Sequence, residues 1–303
     1  MKKEMFGTEI TLMRDTFRRL LRRHAKINII KLIKRTHPAD MALIFRYFNE
    51  GEQDTIFAFM TPTDETVEFL GELDESIVIR LLEQEEPSRI AAILEEASSN
   101  EQAYLMGLVE EKYASTIIDL LQAEEQEELE EMMAYPEDSA GILMYTDVFT
   151  LHEETKAKDA IAALQDQEEA EMVFYLYAVD DNGRLNGVVS LRDLVTTSSD
   201  TMLKDLMSIK VHAVRPETDQ EEVARIVSQY NFLAVPVVDG DEKLLGIVTV
   251  DDVLDVIREE ATEDFLQMVG AGKDREILLK SSWENARMRL PWLFASWVGG
   301  IGA

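Results

Sequence analysis

The chain has 303 residues, of which 46% are hydrophobic, so it can form two or three domains with apolar cores. Its formal net charge of −30 argues against binding to nucleic acid phosphates and favours binding of cations. Because there is no cysteine, disulfides, thiolate nucleophiles and cysteine-based zinc sites are excluded.

The first segment, residues 1–35, is basic and has helical periodicity. It holds eleven Lys or Arg against three Asp or Glu, which leaves a net charge of −38 for residues 36–303. A basic amphipathic helix suits anionic lipid. The alternative, which we favour slightly, is that this helical segment pairs with the acidic body of the same chain.

Residues 36–134 contain short leucine-rich blocks at regular spacing. Four of them, IVIRLLEQ, RIAAILEE, AYLMGLVE and STIIDLLQ, begin at residues 77, 89, 103 and 115. A period of this size fits one short helix and a turn, and such helices must stack to bury their apolar faces. We therefore predict an all-α superhelical repeat domain, which is typical of binding or signal transmission.

A duplication follows. VDDNGRLNGVVSLRDLV, from residue 179, aligns without a gap with VDGDEKLLGIVTVDDVL, from residue 238. Each reads as a strand, a turn, a second strand and a helix, and each is preceded by a short strand and a capped helix. We predict two β-α-β-β-α units, at residues 137–200 and 201–258.

This pattern resembles a tandem pair of cystathionine-β-synthase (CBS) domains, a regulatory module that often binds adenine nucleotides. By that resemblance Ser190, Arg192 and Asp193 are candidate nucleotide-binding residues, for phosphate and ribose. In the second copy Asp251 replaces the arginine and would repel phosphate, so we expect at most one good site. The alternative is that Ser190 and Thr249 are ordinary helix caps.

The helix that follows, in TVDDVLDVIREEATED, is strongly acidic. Its carboxylates share one face by spacing, with an apolar set predicted on the other. The acidic set is Asp252, Asp255, Glu259 and Glu263, and the apolar set is Val253, Val256, Ile257 and Ala261. On spacing alone this could be a solvated acidic face, since like charges on a helix repel only weakly.

The last segments are predicted to lead to a membrane. We predict a long connecting helix over residues 259–288, and residues 289–303 include LPWLFASWVGGIGA, which carries no charge. A spanning helix needs about 20 apolar residues, so we expect the start of a membrane span that continues beyond residue 303. The basic residues before it place the upstream domains on the cytoplasmic side. A terminal core helix is the alternative.

The sequence offers little for catalysis. The four histidines are scattered, and no P-loop, GxGxxG, HExxH or GxSxG motif is present. We therefore predict that the protein is not an enzyme.

The order of these segments, with YPEDSAGILM before the CBS pair and DVLDVIREEATED after it, resembles the cytosolic part of an MgtE-type magnesium channel. The resemblance implies an α+β multidomain protein: a superhelical N domain, a CBS pair and a connecting plug helix that leads to a truncated transmembrane helix. It also implies a homodimer, a transmembrane pore domain outside this chain, and a location at the cytoplasmic face of the cell membrane.

The resemblance also supplies magnesium ligands, which are carboxylates and backbone carbonyls distributed over several elements. They are Asp219, Glu221, Asp252, Asp255, Glu260, Glu263, Asp264, Gly141, Ser228, Asn231 and Glu68. Asn231 and Asn100 stand where acids are expected and Tyr104 replaces another, so the contacts between the N domain and the CBS pair are where this chain departs most.

The function predicted from these features is magnesium sensing and gating. Apposed acidic faces would separate without a cation, and Mg²⁺ bridging would hold the domains and the plug helix in a closed state. The first alternative is an adenine-nucleotide-sensing CBS module, with ATP or a related nucleotide as ligand and no metal gating. The second is a scaffold whose helical array docks a partner protein.

Overall fold

The computed structural model describes residues 2–166 and 175–268, with side chains for residues 10–166, 175–258 and 260–262. The first part is all-helical. Its helices are α1 (Lys2–Arg22), α2 (Lys26–Ile33), α3 (Pro38–Phe45), α4 (Glu50–Phe57), α5 (Asp64–Gly71), α6 (Glu75–Gln84), α7 (Pro87–Leu94), α8 (Ser99–Leu108), α9 (Glu111–Ile118) and α10 (Ala123–Met133).

These short helices stack in two rows, as the leucine-rich blocks predict. In one row α3 packs on α5, α5 on α7 and α7 on α9, and in the other α6 packs on α8 and α8 on α10. Phe45 and Phe69 meet edge to face inside the first row, with ring centroids 5.0 Å apart. The expected helical repeat domain is confirmed, because helices of eight to eleven residues bury their apolar stripes only against neighbours.

Local signals set where these helices begin. Asn49 and Glu52 form a reciprocal capping box at the start of α4, and Ser98 and Glu101 form another at the start of α8. Proline occupies the first position of α3 and of α7, where its missing N–H costs nothing.

The second part contains two similar α/β units. The elements of the first are β1 (Thr150–His152), α12 (Ala157–Asp166), β2 (Tyr175–Val179), β3 (Leu185–Ser190) and α13 (Leu191–Thr196), preceded by α11 (Ala140–Leu143). The elements of the second are α15 (Gln220–Tyr230), β4 (Ala234–Val238), β5 (Leu244–Thr249) and α16 (Val250–Met268), and α14 (Leu203–Leu206) joins the units.

The sheets have the predicted pairing. Strand β2 pairs in parallel with β1 and antiparallel with β3, and β4 pairs antiparallel with β5. In the second unit the strand equivalent to β1 is reduced to a single parallel bridge, Val214 to Val237. The predicted pair of mixed α/β units is thus confirmed.

The turns show the duplication residue by residue. Gly183 and Glu242, fifty-nine positions apart in the alignment, both have left-handed backbones, with φ of 78° and 66°. Asp180 and Asp239 each accept from two backbone N–H groups of their own turn, and these bonds lower the pKa of both carboxyls. The two turns also join the copies, because Leu185 N donates to Glu242 O at 2.9 Å.

The N domain and the second CBS unit share one hydrophobic core. Buried residues from α3 to α10 are continuous with Ala140 and Met144, and these with Val223, Val253 and Val256 of the second unit. The first unit has a smaller core of its own around Leu176 and Leu194. The N domain is therefore docked on the second unit rather than tethered beside it.

Helix α16 runs through the predicted boundary between residues 258 and 259 without a break. Val253 and Val256 are buried as expected, but Ile257 is 40% exposed and Ala261 is also exposed. The predicted apolar face is wrong at those two positions, because the described domains cover only the first turns of α16. The rest of the predicted connecting helix, from residue 269, and the predicted membrane segment, residues 289–303, lie outside the described residues.

In the part of the chain that the structure describes, the helices are too short or too polar to cross a bilayer.

Candidate metal and nucleotide sites

Several predicted magnesium ligands meet at the start of α15. Asp219 caps this helix, and its carboxylate accepts from Glu221 N at 2.8 Å. The intervening Gln220 points the other way and donates from Nε2 to Glu260 of α16 at 2.9 Å. Asp219 and Glu221 therefore lie on one turn of backbone, and Glu260 of α16 reaches that turn through Gln220.

The segment that contains Gly141 runs beside the same turn. Ala140 N donates to Thr218 O at 2.7 Å, and Gly141 N donates to Pro216 O at 2.8 Å. A Cβ at Gly141 would lie 2.5 Å from the Tyr135 ring, so the approach requires glycine. The structure thus places Gly141 beside the turn of Asp219 and Glu221, whereas Glu260 contacts this turn through Gln220.

Asp252 lies elsewhere, at the junction with the N domain. Asn100 of α8 donates from Nδ2 to its Oδ1 at 3.1 Å, and Thr249 hydrogen bonds to its other oxygen. Burial, followed by repulsion from Asp251 and Glu101, raises the pKa of Asp252 to about 6, although the bonds from Thr249 oppose the rise. The predicted acidic face of α16 is therefore divided, because Asp252 is covered and Asp255 is exposed.

The other predicted ligands are dispersed. Asp255 pairs with Arg258 at 2.9 Å on the surface, and Glu68 lies 3.6 Å from Nδ1 of His37 in the N domain. Ser228 lies in the last turns of α15 and Asn231 caps its C-terminus, roughly 14 Å and roughly 18 Å along the helix from Asp219 at 1.5 Å per residue. The side chains of Glu259, Glu263 and Asp264 lie outside the described residues.

Among the described residues, no group of three or more Asp, Glu, His or Cys side chains is close enough to hold a metal ion. The acidic residues at the start of α15 form a patch, not a finished coordination sphere. A chelating site would need further oxygens from backbone, water or another chain.

A cavity of about 280 Å³ opens between the two CBS units. Ser190 and Asp193 both line it. Ser190 caps α13, since its Oγ accepts from Asp193 N at 3.1 Å and donates to Asp193 Oδ2 at 2.7 Å. Arg192 is exposed and is not among the lining residues, so the structure brings together two of the three predicted nucleotide-binding residues.

The cavity also has lining residues that sequence reasoning did not identify. Lys210 and His212 supply cationic or protonatable groups, and the His212 ring stacks on Tyr230 with centroids 4.2 Å apart. The Tyr177 hydroxyl is buried without a hydrogen-bond partner among the described residues, and burial raises the pKa of that phenol. The strand alternation of YLYAV, which puts Tyr175 and Tyr177 on one face, is the signal that could have indicated them.

The corresponding position in the second unit is closed. Thr249 and Asp252 repeat the Ser190 and Asp193 motif, yet α8 of the N domain covers them through Asn100. The expectation of at most one good nucleotide site thus gains a physical reason other than the charge of Asp251.

Two family models match the chain. The MgtE intracellular N domain matches residues 36–138, and the CBS domain matches residues 140–200 and 203–259. The chain is 33% identical over 276 residues to the magnesium transporter MgtE of Bacillus subtilis (strain 168), which corresponds to 90% of this chain and 61% of that protein. It is 44% identical over 153 residues to the magnesium transporter MgtE of Thermus thermophilus, 50% of this chain and 34% of that protein. The chain therefore spans less than two thirds of the length of these relatives.

Two solved structures are similar over most of the fold. One is described as the soluble part of a magnesium transporter; it has a TM-score of 0.74 and 29% identity, and the match covers 83% of this chain and 99% of that one. The other is described as the cytosolic domain of the Mg²⁺ channel MgtE in complex with ATP, with a TM-score of 0.76, 33% identity, and coverage of 80% and 99%.

Proposed function

This chain belongs to the MgtE family of magnesium transporters, and we propose that its N domain and CBS pair sense Mg²⁺ and close the pore of the whole protein when Mg²⁺ is abundant. The pore is supplied by a transmembrane domain outside the chain, and the described domains lie at the cytoplasmic face of the membrane. Mg²⁺ is both the transported ion and the regulatory ligand.

The observation that carries this proposal is the placement of Glu260 against the start of α15. Glu260 lies on the helix that leads towards the membrane segment, while Asp219, Glu221 and Gly141 lie on the CBS pair. A cation held there would couple the direction of α16 to the CBS pair. Because α16 leads towards the membrane segment, a change in its direction would open or close the pore.

Electrostatics supplies the switch. Two carboxylates about 6 Å apart repel by roughly 3 kcal/mol at an effective dielectric near 20. Mg²⁺ prefers oxygen ligands and keeps several waters, so it suits carboxylates shared between elements. Its binding reverses the sign of the interaction and shifts the population towards the closed arrangement.

We further propose that the unit is a homodimer through the CBS pairs. Apolar side chains are exposed on this part of the chain, with Val195 66% and Ile209 75% accessible. A two-fold partner would cover such side chains and would bring further carboxylates or carbonyls to the acidic patch.

Calorimetry tests the metal proposal. In the variant Asp219→Asn/Glu221→Gln/Glu260→Gln, Mg²⁺ affinity should fall at least about tenfold, because charge is lost without a change of shape. The matched control, Glu124→Gln/Glu127→Gln/Glu130→Gln on the exposed face of α10, should bind Mg²⁺ as the wild type does. Equal losses in both variants would mean that only the overall acidity matters.

Nucleotide sensing is a second candidate, and the cavity between the CBS units supports it. Asp193 is an acceptor for ribose hydroxyls, and Lys210 lies in the same cavity as a partner for phosphate. A similar structure is described as a complex with ATP. ATP titrated into Asp193→Ala should show little or no binding, while Asp251→Ala, at an exposed position on α16, should retain it. Retained binding in Asp193→Ala would place the nucleotide elsewhere.

A further inference from the structure

The two N-terminal helices present cations that the acidic body does not neutralise. Helix α1 buries Phe17, which packs edge to face on Phe48, and α2 buries Ile29. On the outer side the exposed basic residues, here called the basic surface, are Arg19, Arg22, Arg23, Lys26, Lys31, Lys34 and Arg35.

The sequence slightly favours ion pairing between residues 1–35 and the acidic body. In the described part of the chain, the structure shows such pairing only for basic residues on the inner side of α1. Arg18 lies 3.5 Å from Glu52 and donates to Tyr47 O at 2.7 Å, and Arg14 pairs with its neighbour Asp15. Within the described side chains, no residue of the basic surface forms an ion pair, although Lys26 lies 5.1 Å from the Phe59 ring centre.

An exposed apolar residue accompanies the cations on each helix. Leu12 is 70% exposed and shares a face of α1 with Arg19, seven residues later, and Arg23 follows in the turn after the helix. Ile27 is also 70% exposed and begins the corresponding set on α2, which continues through Lys31 and Lys34. Each helix, with the residue that follows its end, thus presents one exposed apolar side chain and two cations.

We propose that the basic surface docks on an anionic lipid bilayer. Each Lys or Arg close to such a bilayer strengthens binding about fivefold, and an apolar side chain beside it can enter the headgroup region. Residues 36–303, with a net charge of −38, are on balance repelled by the same bilayer, so an anionic membrane attracts the described domains through the basic surface.

Other partners fit the same features less well. Leu12 and Ile27 have no use in binding to nucleic acid phosphate, which requires charge alone. A second copy that offered its acidic body would make a head-to-tail contact between unlike surfaces, and such contacts form rings or open filaments instead of two-fold dimers. The lipid surface uses both the charges and the apolar side chains.

Vesicle flotation with the full chain provides the test. Wild type should bind vesicles of phosphatidylglycerol and phosphatidylcholine at least about tenfold more strongly than vesicles of phosphatidylcholine alone, and salt should reduce the difference. In Arg19→Gln/Arg23→Gln/Lys31→Gln/Lys34→Gln this preference should disappear. The control Lys112→Gln/Lys158→Gln/Lys204→Gln/Lys243→Gln, with the same change of net charge at exposed positions, should keep it.

The segment after residue 289 is uncharged, so any binding that it contributes should be the same for both vesicle types. The difference between the two vesicle types therefore measures the contribution of lipid charge. A second variant, Leu12→Gln/Ile27→Gln, should lower binding to the anionic vesicles several-fold. The proposal is overturned if the two charge variants lose equally, if the apolar variant binds unchanged, if an RNA or DNA oligonucleotide binds more tightly than the vesicles, or if light scattering shows that the basic surface instead drives self-association.

Discussion

The same short motif, a hydroxyl residue followed three positions later by aspartate, has two different surroundings in this molecule. A hydroxyl and an aspartate three residues later begin a helix in each CBS unit, as Ser190 with Asp193 and as Thr249 with Asp252. The first pair faces an open cavity and is available to a ligand. The second is covered by α8, where Asp252 accepts from Asn100. The local geometry of the two pairs is the same. Their surroundings therefore determine that Asp193 is open to a ligand and that Asp252 contacts the N domain.

The pH dependence of stability should report the half-buried Asp252. The pKa of Asp252 is about 6 in the folded chain and near 3.8 ordinarily, so between these values the folded state holds more protons than the unfolded state. The free energy of unfolding therefore falls as pH rises through this window. Asp252→Asn should exceed wild type by on the order of 2 kcal/mol at pH 7.5 and match it more closely near pH 4.

Urea unfolding in the presence of a chelator measures this difference. Asp255→Asn, an exposed position on the same helix, is the control and should follow the wild-type pH profile. If Asp252→Asn is not more stable than wild type at pH 7.5, the buried carboxylate carries no penalty.

The Tyr177 hydroxyl should lower the stability of the folded chain and strengthen the binding of nucleotide. It is buried and has no hydrogen-bond partner within the described structure, a cost of about 1–3 kcal/mol that phenylalanine would avoid. Tyr177→Phe should therefore melt at a higher temperature without nucleotide, yet gain less from added ATP because a donor in the cavity is lost. Tyr47→Phe, an exposed position in the N domain, should change neither quantity. An unchanged ATP response in Tyr177→Phe would show that the hydroxyl does not contact the nucleotide.

At the scale of elements, the contact between α8 and α16 determines how the N domain sits on the CBS pair. Asn100 meets Asp252 directly, and Ser99 hydrogen bonds to Thr146 at 2.7 Å on the first stretch of the CBS region. An amide donor satisfies a carboxylate without any cation. This junction is therefore expected to stay closed in the absence of Mg²⁺, in contrast to the acidic patch at the start of α15.

Asn100→Asp should make that junction depend on metal. Two carboxylates about 4 Å apart repel by roughly 4 kcal/mol at an effective dielectric near 20, and the repulsion is removed when a divalent cation binds between them. Limited proteolysis in a chelator should cut the variant between the domains, and millimolar Mg²⁺ should restore protection. Asn182→Asp, the same change in an exposed turn, should resemble the wild type in both conditions. Equal resistance of Asn100→Asp with and without Mg²⁺ would contradict this reasoning.

The elements themselves could be predicted because their signals are local. Apolar spacing within ten residues predicts α6, α7, α8 and α9, and the gapless alignment of the turns at Gly183 and Glu242 reveals the duplication. The contact between Asn100 and Asp252 spans 152 positions and depends on how two domains dock. Ile257 was misassigned for the same reason, since its exposure depends on where the covering domain ends.

At the scale of the whole molecule, charge is separated into a basic end and an acidic body. The many carboxylates of the CBS pair and α16 repel one another, and any cation can screen this repulsion. Only a chelated divalent cation can join particular carboxylates. Gating by Mg²⁺ and simple screening by salt therefore predict different behaviour at one position. That position is Arg258, an exposed trypsin site on α16 between the N domain junction and Glu260.

Millimolar MgCl₂ should slow tryptic cleavage after Arg258, because a cation shared by α15 and α16 suppresses the local opening that cleavage requires. NaCl at the same ionic strength should protect far less, since it screens charge without bridging the helices. In Asp219→Asn/Glu221→Gln/Glu260→Gln the site should be cut at one rate in either salt, because the apo repulsion and the metal attraction are lost together. The rates can be followed by mass spectrometry of the released fragment. If NaCl protects Arg258 of the wild type as well as MgCl₂ does, the carboxylates at the start of α15 are surface charge and the magnesium latch is wrong.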